Sequence, residues 1–215
     1  MIKPSYLNQL VILGTIGLFS FVPSIAYSQN SCTTNKPTQD SIKYSKIFVD
    51  APVIDSENIN LQPNQWSNPV IAKDSFTETE NIVVFDRDYQ QGFIRGRVAE
   101  KGVYSVWGQT GIKAISYLTY GNNKNTSEAS DLSIKINGQI FNLNKVKNVF
   151  FMPQEVQEAL NVSPVPKVSM RIITSDSTTH TVNVGEKTIQ SWQSIKAKLK
   201  TLDSQNVACK PNFSH

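Results

Sequence analysis

Residues 132–143, LSIKINGQIFNL, decide the fold. Asn137-Gly138 lies between two alternating runs, and it is the strongest short-range hairpin signal, because both central residues of a type I′ turn need positive φ. A two-residue loop also fixes register: Ile136 faces Gln139, Ile134 faces Phe141, and Leu132 faces Leu143. Directly opposed residues share a face, so the apolar pairs stack on one side while Ser133 and Asn142 pair on the other. The rest of the chain then packs on this hairpin or links to it.

Downstream, residues 148–152 read as a short strand, and Pro153 opens a short helix, since proline is tolerated in the first turn. Val156, Ala159 and Leu160 share one side of that helix, which ends at Ser163-Pro164. A second hairpin follows in 167–174 and 178–184. Val168, Met170 and Ile172 share a face, as do His180, Val182 and Val184; joining the two sets needs an odd-length loop, Ser175-Asp176-Ser177. Gly185 breaks the strand. From about 187 to 199 the residues Ile189, Trp192, Ile195 and Leu199 form a stripe at near-helical spacing. Lys196, Lys198 and Lys200 sit near its C-terminus, where positive charge suits the helix dipole.

Upstream, residues 46–50 (KIFVD) are a strand candidate. Residues 51–75, with Pro52, Pro63 and Pro69, read as irregular covering loop in which Trp66 plugs the edge of a core. Residues 82–85 (IVVF) form a continuous apolar run of the kind buried on both faces. Residues 86–91 are the expected connection to a strand at 92–98 (GFIRGRV). Residues 102–107 and 112–120 make the next pair around a Gly-Gln-Thr-Gly turn, and the polar stretch 121–129 reads as a mobile loop. Strands at roughly ten-residue spacing point to a mainly β fold: an antiparallel β-sandwich or partly open barrel with two helices, near 153–161 and 187–200.

The first residues carry a different signature. Lys3 precedes the uncharged run at 10–22, LVILGTIGLFSFV, and Pro23 and the small residues Ala26 and Ser28 follow. That is the layout of a secretory signal cleaved before Gln29; the run is shorter than the ~20 apolar residues that span a bilayer. The chain divides into a signal at 1–28, a polar tether at 29–45, one β-rich domain at 46–209 and a tail at 210–215. No stable membrane span remains after signal removal. In an oxidising compartment Cys32 and Cys209, near the two ends of the mature chain, are expected to form a disulfide.

Charge narrows the partners. Removing 1–28 takes one lysine and no acid from the 21 basic and 17 acidic residues of the 215-residue chain, leaving a net charge of about +3. The lysines are scattered, without the basic stripe or motif of a nucleic-acid binder. No cofactor motif is present. Asp86-x-Asp88 begins like a calcium loop, but Gln91 and Arg97 stand where that loop needs glycine and glutamate. There is no G-x-S-x-G elbow, and of the two histidines His180 lies on a strand and His215 ends the chain. Asp50 and Asp55 are close in sequence with nothing to orient them, although two carboxylates alone could serve glycoside hydrolysis.

Binding remains. On a strand at 92–98, Arg95 and Arg97 alternate onto one face with Phe93, with Tyr89 nearby, forming a basic ledge able to straddle sulfate, carboxylate or phosphate. The expectation is an exported, non-catalytic binding, adhesion or accessory module, whose partner is an anionic or neutral glycan or an envelope protein. One alternative is a carbohydrate-binding module presenting Tyr89, Tyr104, Trp107 and Tyr117; another is a hydrolase using two carboxylates. Asn125, Asn161 and Asn212 head glycosylation sequons.

Overall fold

In the computed structural model the described residues are 43–56, 66–94, 96–121 and 123–207. Helix α1 (Tyr44–Ile47) precedes strands β1 (Val53–Asp55), β2 (Pro69–Lys73), β3 (Glu80–Ile94), β4 (Arg97–Trp107), β5 (Gly111–Tyr120) and β6 (Asn123–Ile136). Then come β7 (Gln139–Leu143), β8 (Lys145–Val146), β9 (Val149–Phe151), α2 (Gln154–Leu160), β10 (Val168–Thr174), β11 (Thr179–Asn183) and α3 (Glu186–Val207). The fold is mainly β, as expected, with the two longer helices where the sequence puts them. The strands join in one network in the order β1-β2-β3-β4-β5-β6-β10-β11, with β7 on β6, β9 on β5 and β8 on β9; it is not closed into a barrel. Pairing is antiparallel except for β1 on β2. Among the described residues no helix is long and apolar enough to cross a membrane.

The organising hairpin forms in the expected register: Ile136↔Gln139, Ile134↔Phe141 and Leu132↔Leu143. Asn137 and Gly138 take φ of 46° and 95°, the left-handed conformations a type I′ turn demands. Asn137 also accepts the Lys167 N–H through its side chain at 3.1 Å. Strand β10 lies on the other side of β6, placing Val168, Met170 and Ile172 beside Ile136, Ile134 and Leu132. All six are buried, and each such side chain withdrawn from water contributes about 1.5–3 kcal/mol. The β10–β11 hairpin turns through 175–177, with Met170 opposite Val182 and Ile172 opposite His180. Helix α3 covers this surface with Ile189, Trp192 and Ile195, and α2 adds Val156 and Leu160. The inner face of β3–β5 completes the same core with Val84, Val103, Trp107 and Ile112.

Several segments depart from expectation. Residues 46–50 do not form a strand: the chain turns helically at Tyr44–Ile47, because Tyr44 and Phe48, four apart, are both buried and Phe48 N–H bonds Tyr44 C=O at 2.8 Å. Glu80 holds that turn, accepting the Ser45 N–H at 2.8 Å and its hydroxyl at 3.0 Å. Within 51–75 the structure has β1 and β2; Pro69 is tolerated as the first residue of β2, and 57–65 lie outside the described residues. The expected connection at 86–91 is the middle of β3, and the expected mobile loop at 121–129 is the first half of β6, paired with β5 from Tyr120↔Asn123 to Ile115↔Glu128. The expected strand at 92–98 is instead a reversal: Ile94 pairs with Arg97 and Gly96 has φ 74°. These polar strands escape sequence reading because their outer lengths are solvated on both faces. Alternation in a strand shows only when one face must be apolar.

The open end of the sheet is closed by side chains. Strand β11 approaches β3, yet no ladder joins them. Instead Asp88 Oδ2 of β3 accepts the Asn183 N–H at 2.8 Å, and Asp86 Oδ1 accepts the Gly185 N–H at 3.1 Å and the Thr188 hydroxyl at 2.6 Å. Asp86 thereby sits at the N-terminal end of α3, where the helix dipole favours a carboxylate. Burial nevertheless raises its pKa, with Asp88 adding to that rise, against the opposing hydrogen bonds from Thr188 and Gly185.

Candidate binding surface

With one face of β3–β5 given to the core, period two sends the alternate residues outward: Val83, Phe85, Arg87 and Tyr89 on β3, Glu100, Tyr104 and Val106 on β4, Ile115 and Tyr117 on β5. The end of this outer face nearest β2 is apolar, with Val70, Ala72, Val83 and Phe85 buried under Ile54, Trp66 and Val106.

A column of rings crosses the face. Trp66 stacks on Tyr104 at 5.6 Å between centroids, and Tyr104 stacks on Tyr117 at 4.0 Å, both pairs nearly parallel. Tyr117 lies opposite Gly102. A Cβ at 102 would run into the Asp88 carbonyl oxygen and come within 2.9 Å of Tyr89 Cα. Charged groups flank the rings. Arg87 lies 4.9 Å over Trp66 and 4.0 Å over Tyr89, and the Lys124 ammonium lies 4.9 Å from the Tyr104 centroid. Glu100 ties them together: it accepts from the Tyr117 hydroxyl and from Gln91 Nε2 at 3.0 Å, and pairs with Arg87 at 3.5 Å. Burial would raise the Glu100 pKa, but the Tyr117 and Gln91 hydrogen bonds with Arg87 and Lys124 outweigh it and leave the carboxyl below its ordinary value. Tyr117 is pushed far up, first by burial and then by its bond to Glu100. The Trp66 Nε1–H is buried, and among the described residues it has no hydrogen-bond partner.

Beside Tyr104 a cavity of about 740 Å³ enters the sheet. Its origin is a fork. Strand β5 pairs with β6 through Ile115↔Glu128, then with β9 through Ile112↔Phe150, so β6 leaves the ladder between those points. Tyr104, Val106 and Ile115 give the cavity an apolar wall, and Lys113, Glu128 and Lys145 stand around it. Lys145 is engaged, donating to the Ala129 carbonyl at 2.6 Å. Lys113 is exposed, and among the described residues nothing pairs with its ammonium.

The residues singled out from sequence are dispersed. Tyr89 and Phe93 point outward, with Phe93 80% exposed, but Arg97 pairs with Ile94 and so takes the opposite face; Arg95 lies outside the described residues. The arginines therefore do not sit two apart on one strand. Of the four aromatics proposed as a sugar platform, Trp107 is wholly buried in the core, bonded to Ser105, and Tyr104 and Tyr117 spend their ring faces on the column. Tyr89 is exposed, under Arg87. Trp66 covers the second apolar cluster at the sheet edge, as its role of plug required. His180 is half-buried opposite Ile172. Asp86 and Asp88 serve the β11 contact, Asp55 accepts from Ser75 at 3.2 Å, and Asp50 is exposed. Asn125 is exposed on β6 and Asn161 at the end of α2. Cys32, Cys209, Asn212, His215 and the signal at 1–28 lie outside the described residues. Sequence reading missed Arg87, Glu100, Lys113 and Lys124; parity within a strand marks the face of Arg87, shared with Val83 and Phe85, and of Glu100, shared with Val106, whereas Lys113 and Lys124 join that face only through inter-strand register. Comparison with protein-family models, characterised proteins and solved structures finds no match to this chain.

Proposed function

We propose that the chain is an exported, non-catalytic binding module of the cell envelope or extracellular space, which holds an anionic glycan in the cavity beside Tyr104. The observation that carries the reading is the cavity itself. Its volume of about 740 Å³ falls within the ~300–1,000 Å³ of small-ligand sites, which combine apolar walls with a few placed polar groups. Val106 and Ile115, with the edge of the stacked Tyr104 ring, offer apolar contact for the carbon face of a sugar ring, and the Lys113 ammonium, unpaired among the described residues, offers a partner for a carboxylate or sulfate. Export rests on the charged start, short apolar run and small residues of 1–28.

Calorimetric titration of the chain with uronic-acid, sulfated and neutral oligosaccharides tests this. Acidic oligosaccharides are expected to bind, Lys113→Glu to weaken them about tenfold or more, and Val106→Trp, which fills the cavity, to abolish binding with the fold intact. Binding indifferent to both substitutions, or none to any glycan, overturns the proposal.

A further inference from the structure

The two edges of the β7-β6-β10-β11 half of the sheet are finished differently. At β11 the outward Asn183 N–H is capped by Asp88. At β7 nothing equivalent occurs. In a two-residue hairpin the residues flanking the turn exchange both hydrogen bonds, so Gln139, Phe141 and Leu143 bond β6. Ile140 and Asn142 then direct N–H and C=O away from it. The next ladder agrees: Asn137 N–H bonds the Lys167 carbonyl at 3.0 Å, which turns the alternate groups of β6 toward β10. Among the described residues no partner meets the outward backbone groups of Ile140 and Asn142. Proteins normally blunt or cover such edges, because each is a template for another strand.

Beside this edge runs α2, and between them lies a groove of about 520 Å³. Ile140, 64% exposed, lines the strand side, and Glu155 and Glu158, both exposed, line the helix side. The two acids are three apart and so lie on one helix face. We propose that this groove binds an extended, lysine- or arginine-bearing segment of a partner protein, which adds to β7 as a further strand. The main chain of the segment bonds Ile140 and Asn142, and its basic side chains reach Glu155 and Glu158. Strand addition gives affinity through the main chain and specificity through alternate side chains. The charge of the groove selects a basic segment over an acidic one.

The test uses the full chain and two labelled seven-residue peptides, alternating valine–lysine and valine–glutamate, with fluorescence polarisation for affinity and amide hydrogen exchange for location. The lysine peptide is expected to bind at least tenfold more tightly and to slow exchange at Ile140 and Asn142. Ile140→Pro removes an outward N–H without breaking the β6–β7 ladder, so it should weaken binding about tenfold at unchanged melting temperature. Glu155→Lys/Glu158→Lys, on an exposed helix face, should reverse the peptide preference. Failure of the lysine peptide to bind, equal binding of both peptides, or protection elsewhere overturns the proposal. Protection of Ile140 and Asn142 without peptide, in a chain that sediments as a dimer, overturns it in favour of β7 pairing with a second copy.

Discussion

Asp88 grips the end of β11 from 95 residues away: its Oδ2 accepts the Asn183 N–H at 2.8 Å. Two residues earlier on the same face, Asp86 does the same for Gly185 and Thr188. These bonds replace a backbone ladder, so each should matter more than an ordinary surface contact. Asp86→Ala leaves the part-buried Gly185 N–H unmatched and strips the buried Thr188 hydroxyl of its charged acceptor, leaving it only the Ser67 hydroxyl at 2.9 Å; a lost or orphaned bond of this kind costs about 1–3 kcal/mol. Urea unfolding should show Asp86→Ala losing about 2–4 kcal/mol and Asp88→Ala about 1 kcal/mol. Equal, negligible losses would mean the seam contributes nothing.

The acids of the molecule should pull its stability in opposite directions with pH. Burial raises the Asp86 pKa above its unfolded value, so between those two values the folded state binds the extra proton and stability falls as pH rises. Glu80 and Glu100 are held below their ordinary values, because hydrogen bonds from Ser45 and from Tyr117 and Gln91, with nearby lysines and Arg87, outweigh burial. Their contribution is present above the unfolded value and is lost as pH falls through the folded one. Urea titrations across the acid range should show Asp86→Asn removing the downward slope with rising pH, and Glu100→Gln reducing acid lability.

Gly102 is a position where the sheet has no room for a side chain. A Cβ would come within 2.9 Å of Tyr89 Cα, and both atoms belong to paired strands that cannot separate without breaking the ladder. Gly102→Ala should lower stability by about 1–3 kcal/mol, the range for overpacking, whereas Gly92→Ala, with nothing within 4 Å, should be close to neutral. Thermal melts of the two variants compare them directly.

Trp66 buries an indole N–H that has no acceptor among the described residues. Replacing it with phenylalanine keeps a ring on Tyr104 and removes that orphan donor. Trp66→Phe should therefore change stability by less than about 1 kcal/mol, while Trp66→Ala, which also empties the end of the column, should lose about 3–5 kcal/mol. A large loss for Trp66→Phe would show that the N–H is satisfied in solution.

What could be read from the sequence was whatever had a local cause. Asn137-Gly138 carries its turn in two residues, and Ile189, Trp192 and Ile195 carry their helix in their spacing. The loop length at 175–177 followed from matching Met170 with Val182. Asn123 to Glu128 form a strand for a different reason, because β5 offers them a ladder, and their own side chains, mostly exposed, carry no apolar alternation. The helical turn at Tyr44 likewise depends on Glu80, which bonds Ser45 from 35 residues on. The charged surface was hidden most deeply. Arg87, Glu100 and Lys124 come from three strands and meet only through register, which no local pattern encodes.

Synthesis delivers β3 long before residues 183–188, so the carboxylates of Asp86 and Asp88 must wait in water for their donors. Until residues 183–188 have been made, the seam between β3 and β11 stays open. A chain truncated at residue 182 would retain every strand from β1 to β10 and still be unable to shut.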